Sequence, residues 1–105
     1  MTQVNDILEL HKQDLQKAKK TGDKRKISAA YKRIASTQAE KKHWEKALEY
    51  YVRSIDLDEQ LGDQEGISKT YACIGNLFYA QHEWDKALMF YSKELEMEEL
   101  RLNKK

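Results

Sequence analysis

Apolar positions along the chain recur every three or four residues rather than every two. Ile27, Tyr31 and Ile34 form one series, and Trp44, Ala47, Leu48, Tyr51 and Ile55 form another. That spacing gathers each series on one face of an α-helix, whereas half-buried strands would alternate. Breaks of two kinds separate the series. Gly22 and Gly62 are each followed by an aspartate, Asp23 and Asp63. Glycine accepts the left-handed conformation that ends a helix, and the aspartate accepts the unpaired N–H groups that begin the next one. The other breaks fall near Lys41 to His43 and near Gln81 to Glu83.

The whole pattern returns at a spacing of 40 residues. Gly22-Asp23 recurs as Gly62-Asp63, Ile27-Ser28 as Ile67-Ser68, Tyr31 as Tyr71 and Ile34 as Ile74. Trp44-Glu45-Lys46-Ala47-Leu48 recurs as Trp84-Asp85-Lys86-Ala87-Leu88, and Tyr50-Tyr51 as Phe90-Tyr91. A period of this length denotes stacked supersecondary units. Each unit holds a first helix, A, and a second helix, B. Projected back by the same interval, Leu8, Leu15 and Gly22 fall on Leu48, Ile55 and Gly62, so the first helix is a B helix. The pattern predicts an all-α chain of five antiparallel helices in the order B-A-B-A-B, near residues 3–20, 24–41, 44–61, 64–81 and 84–102. One domain covers 1–105: a half repeat at 1–22, repeats at 23–62 and 63–102, and a tail at 103–105.

Composition agrees with this pattern. There is no proline, glycine occurs four times in 105 residues, and 35% of the residues are charged, which favours helix interiors over turns and strands. No apolar run approaches the roughly 18 residues of a membrane span and no charged-then-apolar leader is visible, so a cytoplasmic or nuclear location is expected. The single cysteine, Cys73, cannot form an internal disulfide. Charge is distributed unevenly: residues 1–53 carry 13 Lys and Arg against 7 Asp and Glu, and the remainder carries 6 against 11. The halves therefore stand at about +6 and −5, a polarity suited to steering a charged partner or to head-to-tail contacts.

The run Tyr71-Ala72-Cys73-Ile74-Gly75-Asn76-Leu77-Phe78, followed by Trp84, Ala87, Leu88 and Tyr91, resembles the tetratricopeptide repeats, in the 40-residue variety of kinesin light chains, spindle-orientation adaptors and bacterial signalling proteins. The first unit departs from that pattern with Ala35 in place of the glycine and Gln38 in place of an aromatic, and Glu59 and Glu99 stand where a proline often occurs. The resemblance implies a right-handed α-solenoid whose A helices line a concave groove. It implies a non-catalytic scaffold or adaptor that binds protein, and a backbone contact from Asn76. The paired-carboxylate clamp of the chaperone-binding branch is matched only at Lys32, since Ser36 and Cys73 occupy its asparagine positions.

The sequence offers no convergent catalytic set. His43 and His82 sit at turns, Glu45 with Glu49 and Glu94 with Glu98 read as solvated pairs, and Cys73 reads as a buried small hydrophobe. No enzyme activity, metal or cofactor is expected. On the groove face of the A helices, Lys32, Arg33, Lys69, Asn76 and Tyr79 are the candidate binding residues. Cations and an amide suit an extended peptide with acidic side chains. Two alternatives have their own residues. Self-association through open ends would use Leu8 and Leu15 on one side and Leu95, Leu100 and Leu102 on the other, making a homodimer or joining a larger chain. The basic edge over residues 17–33 would bind an acidic protein or nucleic acid, although no aromatic residue is interleaved there for base stacking, and no membrane partner is expected.

Overall fold

A computed structural model describes residues 4–103, which form five helices: α1 Val4–Thr21, α2 Lys24–Glu40, α3 Trp44–Leu61, α4 Gln64–Ala80 and α5 Trp84–Asn103. Each end falls within two residues of the boundary expected from the sequence. Residue 3 and the tail residues 104 and 105 lie outside the described residues. Consecutive helices pack as antiparallel neighbours, with α2 on α3 and α4 on α5 within the units, and α1 on α2 and α3 on α4 between them.

The glycines and aspartates at the unit boundaries act as their chemistry requires. Gly22 and Gly62 adopt φ of 73° and 69°. Asp23 accepts from the N–H groups of Arg25 and Lys26 at 3.1 and 3.2 Å, and Asp63 accepts from that of Gly66 at 3.0 Å. Inside the units no glycine is present at the turn, and Lys42 and His82 take the left-handed conformation instead, both at φ 63°.

Two apolar clusters hold the array together. Leu8 and Leu15 of α1 are buried with Ala30 and Ile34 of α2, and Ile27, Tyr31 and Tyr50 pack around them. This corrects the expectation that Leu8 and Leu15 form an open end. They occupy the B-helix stripe that the next A helix covers, and α2 covers it. The second cluster joins Ala35 of α2, Tyr51 and Ile55 of α3, and Ile67 and Ile74 of α4. Equivalent ring pairs recur at the 40-residue interval: Tyr31 lies 5.9 Å from Tyr50, and Tyr71 lies 6.2 Å from Phe90. Arg53 lies over the Tyr31 ring and Lys93 over Tyr71, repeating one cation–π contact in both units.

Gln38 and Phe78 show how one position serves two chemistries. Phe78 stacks on Phe90 with ring centres 5.6 Å apart. Gln38 is buried in the same place, and its Oε1 stands 2.9 Å from His43 Nδ1. The polar side chain is thereby satisfied, as burial demands.

Candidate functional site

Helices α2 and α4 flank a cleft of about 390 Å³ whose lining includes Ser36, Glu40, Trp44, Tyr51, Cys73 and Asn76. Helical spacing explains the membership. Ser36 and Glu40 are one turn apart on α2, Cys73 and Asn76 one turn apart on α4, and Tyr51 reaches between them from α3. Burial, with the neighbouring Cys73 thiol, pushes the Tyr51 hydroxyl above its ordinary range, so it stays protonated. Cys73 itself is exposed, which corrects the expectation of a buried small hydrophobe. It stands on the cleft wall because it faces α2 rather than α5.

Asn76 is the candidate residue that the cleft contains. The Tyr91 hydroxyl donates to its Oδ1 at 2.6 Å, which fixes the amide plane and leaves the NH₂ group without a protein partner among the described residues. That bond depends on Gly75. A Cβ there would lie 2.5 and 2.6 Å from two Tyr91 ring atoms, so the absence of a side chain lets the ring lie against α4.

The other four candidates are distributed around the cleft rather than inside it. Lys32 lies one turn before Ser36 on α2, and its ammonium stands 3.0 Å from Oδ2 of the buried Asp58. Lys69 lies one turn before Cys73 and pairs with Glu65 at 3.0 Å. Arg33 is turned toward α1 and lines a separate cleft between α1 and α2. Tyr79 is exposed one turn beyond Asn76, and its ring meets Trp84 edge-on at 5.1 Å. The three cations therefore do not converge. Two extend the cleft at one end, and Trp44 with Glu40 closes the other.

Asp58 is the residue that the sequence reading missed. Its Oδ1 accepts from the Ser28 hydroxyl at 2.7 Å, and Ser28 Oγ is 2.8 Å from Ser54 Oγ. The second unit repeats the motif, with Ser68 donating to Glu98 at 2.8 Å and Arg101 donating to the same carboxylate at 2.7 Å. Bonds from Arg101, then Ser68, hold the Glu98 carboxyl below its usual range. The available signal was the match of Ser28 with Ser68 and of Asp58 with Glu98 at the repeat interval.

Elsewhere the basic edge is partly engaged by the fold. Lys24 donates to Gln60 at 2.9 Å and Arg25 stands 3.8 Å from Asp63, tying the start of α2 to the α3–α4 turn. Among the described residues no group of three or more metal-ligating side chains comes together, and no helix is long and apolar enough to cross a membrane.

Two helical units in tandem, with a repeated ring pair, a repeated cation–π contact and a repeated serine–carboxylate bond, define a helical-repeat α-solenoid. The family model described as tetratricopeptide repeat matches residues 26–99, and the chain belongs to that family. Its repeats generally serve as protein–protein interaction modules. No curated protein matches the chain.

Proposed function

We propose that this chain is a non-catalytic scaffold module that holds an extended segment of a partner protein along the cleft between α2 and α4. The observation that carries this reading is the fixed amide of Asn76 on the wall of an open cleft beside Ser36 and Tyr51. An amide held in one orientation binds a peptide carbonyl without losing side-chain freedom at the moment of binding. Lys69, one turn before Cys73 on α4 and 73% exposed, attracts carboxylates at one end of the segment, whereas Lys32 is held by the buried Asp58. Glu40, Trp44 and the exposed Tyr79–Trp84 pair favour aromatic, apolar or basic side chains at the other. The bound segment is therefore polar in sequence, acidic at one end only.

A displayed peptide library selected against the 105-residue chain tests this. Enriched peptides should carry carboxylates clustered at one end, and Asn76→Ala or Lys69→Glu should each weaken them about tenfold, the equivalent of one hydrogen bond of about 1.4 kcal/mol. Peptides without charge bias, or binding indifferent to both substitutions, would remove the cleft as the site. Lys32 is left intact in this test because Asp58 depends on it.

A further inference from the structure

The two ends of the solenoid are complementary in shape and in charge, and we infer that the chain associates head to tail with a second copy of itself, α5 of one copy entering the cleft between α1 and α2 of the next.

The receiving end is an open cleft between two helices. In the first unit, α2 lies against Ser54 and Asp58 of α3, and Gly66 of α4 abuts the same Asp58 carboxylate. Forty residues earlier those positions are Asp14, Ala18 and Lys26. All three line an open cleft of about 360 Å³ between α1 and α2, together with Lys17, Ala29 and Arg33. The cleft thus stands where an A helix packs on α3, and among the described residues no helix fills it. Its floor is alanine, which admits close approach of a helix, and the exposed Leu10 lies one turn before Asp14 and two turns before Lys17 on the same face of α1. Its rim is net cationic, with Lys17, Lys26 and Arg33 against the one carboxylate of Asp14. Among the described residues Lys17, Lys26 and Arg33 enter no ion pair, so their charge is available to an incoming carboxylate.

The entering end is an apolar stripe on α5. Leu88 and Leu95 correspond to Leu48 and Ile55, the stripe of α3 that α4 covers. Ile55 is 8% exposed, whereas Leu88 and Leu95 are 66% and 60% exposed, and Leu102 continues them at the same seven-residue interval. Among the described residues, the exposed charged neighbours three, four or one residue from these leucines are Asp85, Glu96 and Glu99. Lys86 and Lys93 lie on another face of the helix.

Charge decides between the symmetric and the head-to-tail contact. An α5–α5 dimer would bring two carboxylate-flanked stripes together, with like charges opposed. Insertion into the α1–α2 cleft instead sets Asp85, Glu96 and Glu99 against Lys17, Lys26 and Arg33. The whole-chain polarity, +6 in the first 53 residues and −5 in the rest, steers the same orientation. Such a contact is heterologous, so it propagates with concentration into longer arrays instead of stopping at two copies.

Sedimentation velocity on the 105-residue chain over a range of concentration and salt tests the inference, with two charge-reversed variants whose helicity is checked by circular dichroism. One variant carries Lys17→Glu, Lys26→Glu and Arg33→Glu; the other carries Asp85→Lys, Glu96→Lys and Glu99→Lys. The native chain should show mass growing with concentration and falling with added salt. Each variant alone should be monomeric, and an equimolar mixture should associate again, because each supplies the charge the other now needs. A native chain that stays monomeric at low salt, a closed dimer insensitive to salt, or variants that associate alone as the native chain does would each overturn it. Should either variant lose helicity, the salt and concentration dependence of the native chain decides by itself.

Discussion

Lys32 was expected to serve a ligand, yet it is the counter-charge of a buried carboxylate, and its removal measures how much the fold relies on it. Asp58 is enclosed by α2, α3 and α4, with Ser28 on one oxygen and the Lys32 ammonium 3.0 Å from the other. Breaking a fully buried ion pair on one side costs about 3–5 kcal/mol because the remaining charge stays buried without compensation. The Lys32 side chain is 32% exposed, so part of its charge is already screened by water and the cost falls below that range. Lys32→Met should therefore destabilise the chain by roughly 2–3 kcal/mol. At about 4–8 °C per kcal/mol, the midpoint of thermal unfolding should fall by roughly 10–20 °C. Lys69→Met is the control: that lysine is 73% exposed and pairs only along its own helix, so its loss should cost less than about 0.5 kcal/mol. Far-ultraviolet circular dichroism during urea and thermal unfolding reads both. The double variant Lys32→Met with Asp58→Leu should recover most of the loss, since an apolar pair of similar volume replaces the ions. Equal, small effects at Lys32 and Lys69 would refute the reasoning, because Asp58 would then not depend on its partner.

Two further outcomes follow from single contacts. Gly75→Ala gains up to about 1 kcal/mol of helix propensity, but its methyl meets the Tyr91 ring at 2.5 Å, so overpacking of about 1–3 kcal/mol should win and the variant should melt lower than native. Nuclear magnetic resonance should also show the Tyr91 hydroxyl released from Asn76; an unshifted tyrosine signal with raised stability would contradict the close packing. Because the Glu98 carboxyl is held below its ordinary value of 4.5, its contribution is fully present above that pH and is lost as pH falls through the lower folded-state value. Native protein should thus lose more stability below about pH 4.5 than Glu98→Gln does, measured by urea unfolding at a series of pH values; parallel acid limbs would exclude the contribution.

How far the sequence was legible depended on whether a residue's role is set by its own helix or by its neighbours. Helix ends at Gly22 and Gly62 and caps at Asp23 and Asp63 follow from local spacing repeated twice, and these were read directly. Arg33 was not, because Lys32 and Arg33 are adjacent and point about 100° apart around the helix. Periodicity groups residues into faces, but it does not say which neighbouring helix a marginal position meets. Asp58 lies within Asp56-Leu57-Asp58-Glu59, a string that reads as solvated. Only the three-dimensional meeting of Ser28, Ser54 and Lys32 distinguishes it from Asp56 and Glu59. Leu8 and Leu15 were assigned to a B-helix stripe but read as an open end, whereas α2 covers them.

The most direct test of the cleft as a binding site is amide chemical-shift mapping on isotope-labelled protein titrated with the strongest peptide from the library selection. The account predicts shifts concentrated at Ser36, Glu40, Cys73 and Asn76, with smaller changes at Lys32 and Lys69. Shifts concentrated instead at Lys17, Lys26 and Arg33, or along Leu88 and Leu95, would contradict it and assign recognition to the ends of the solenoid.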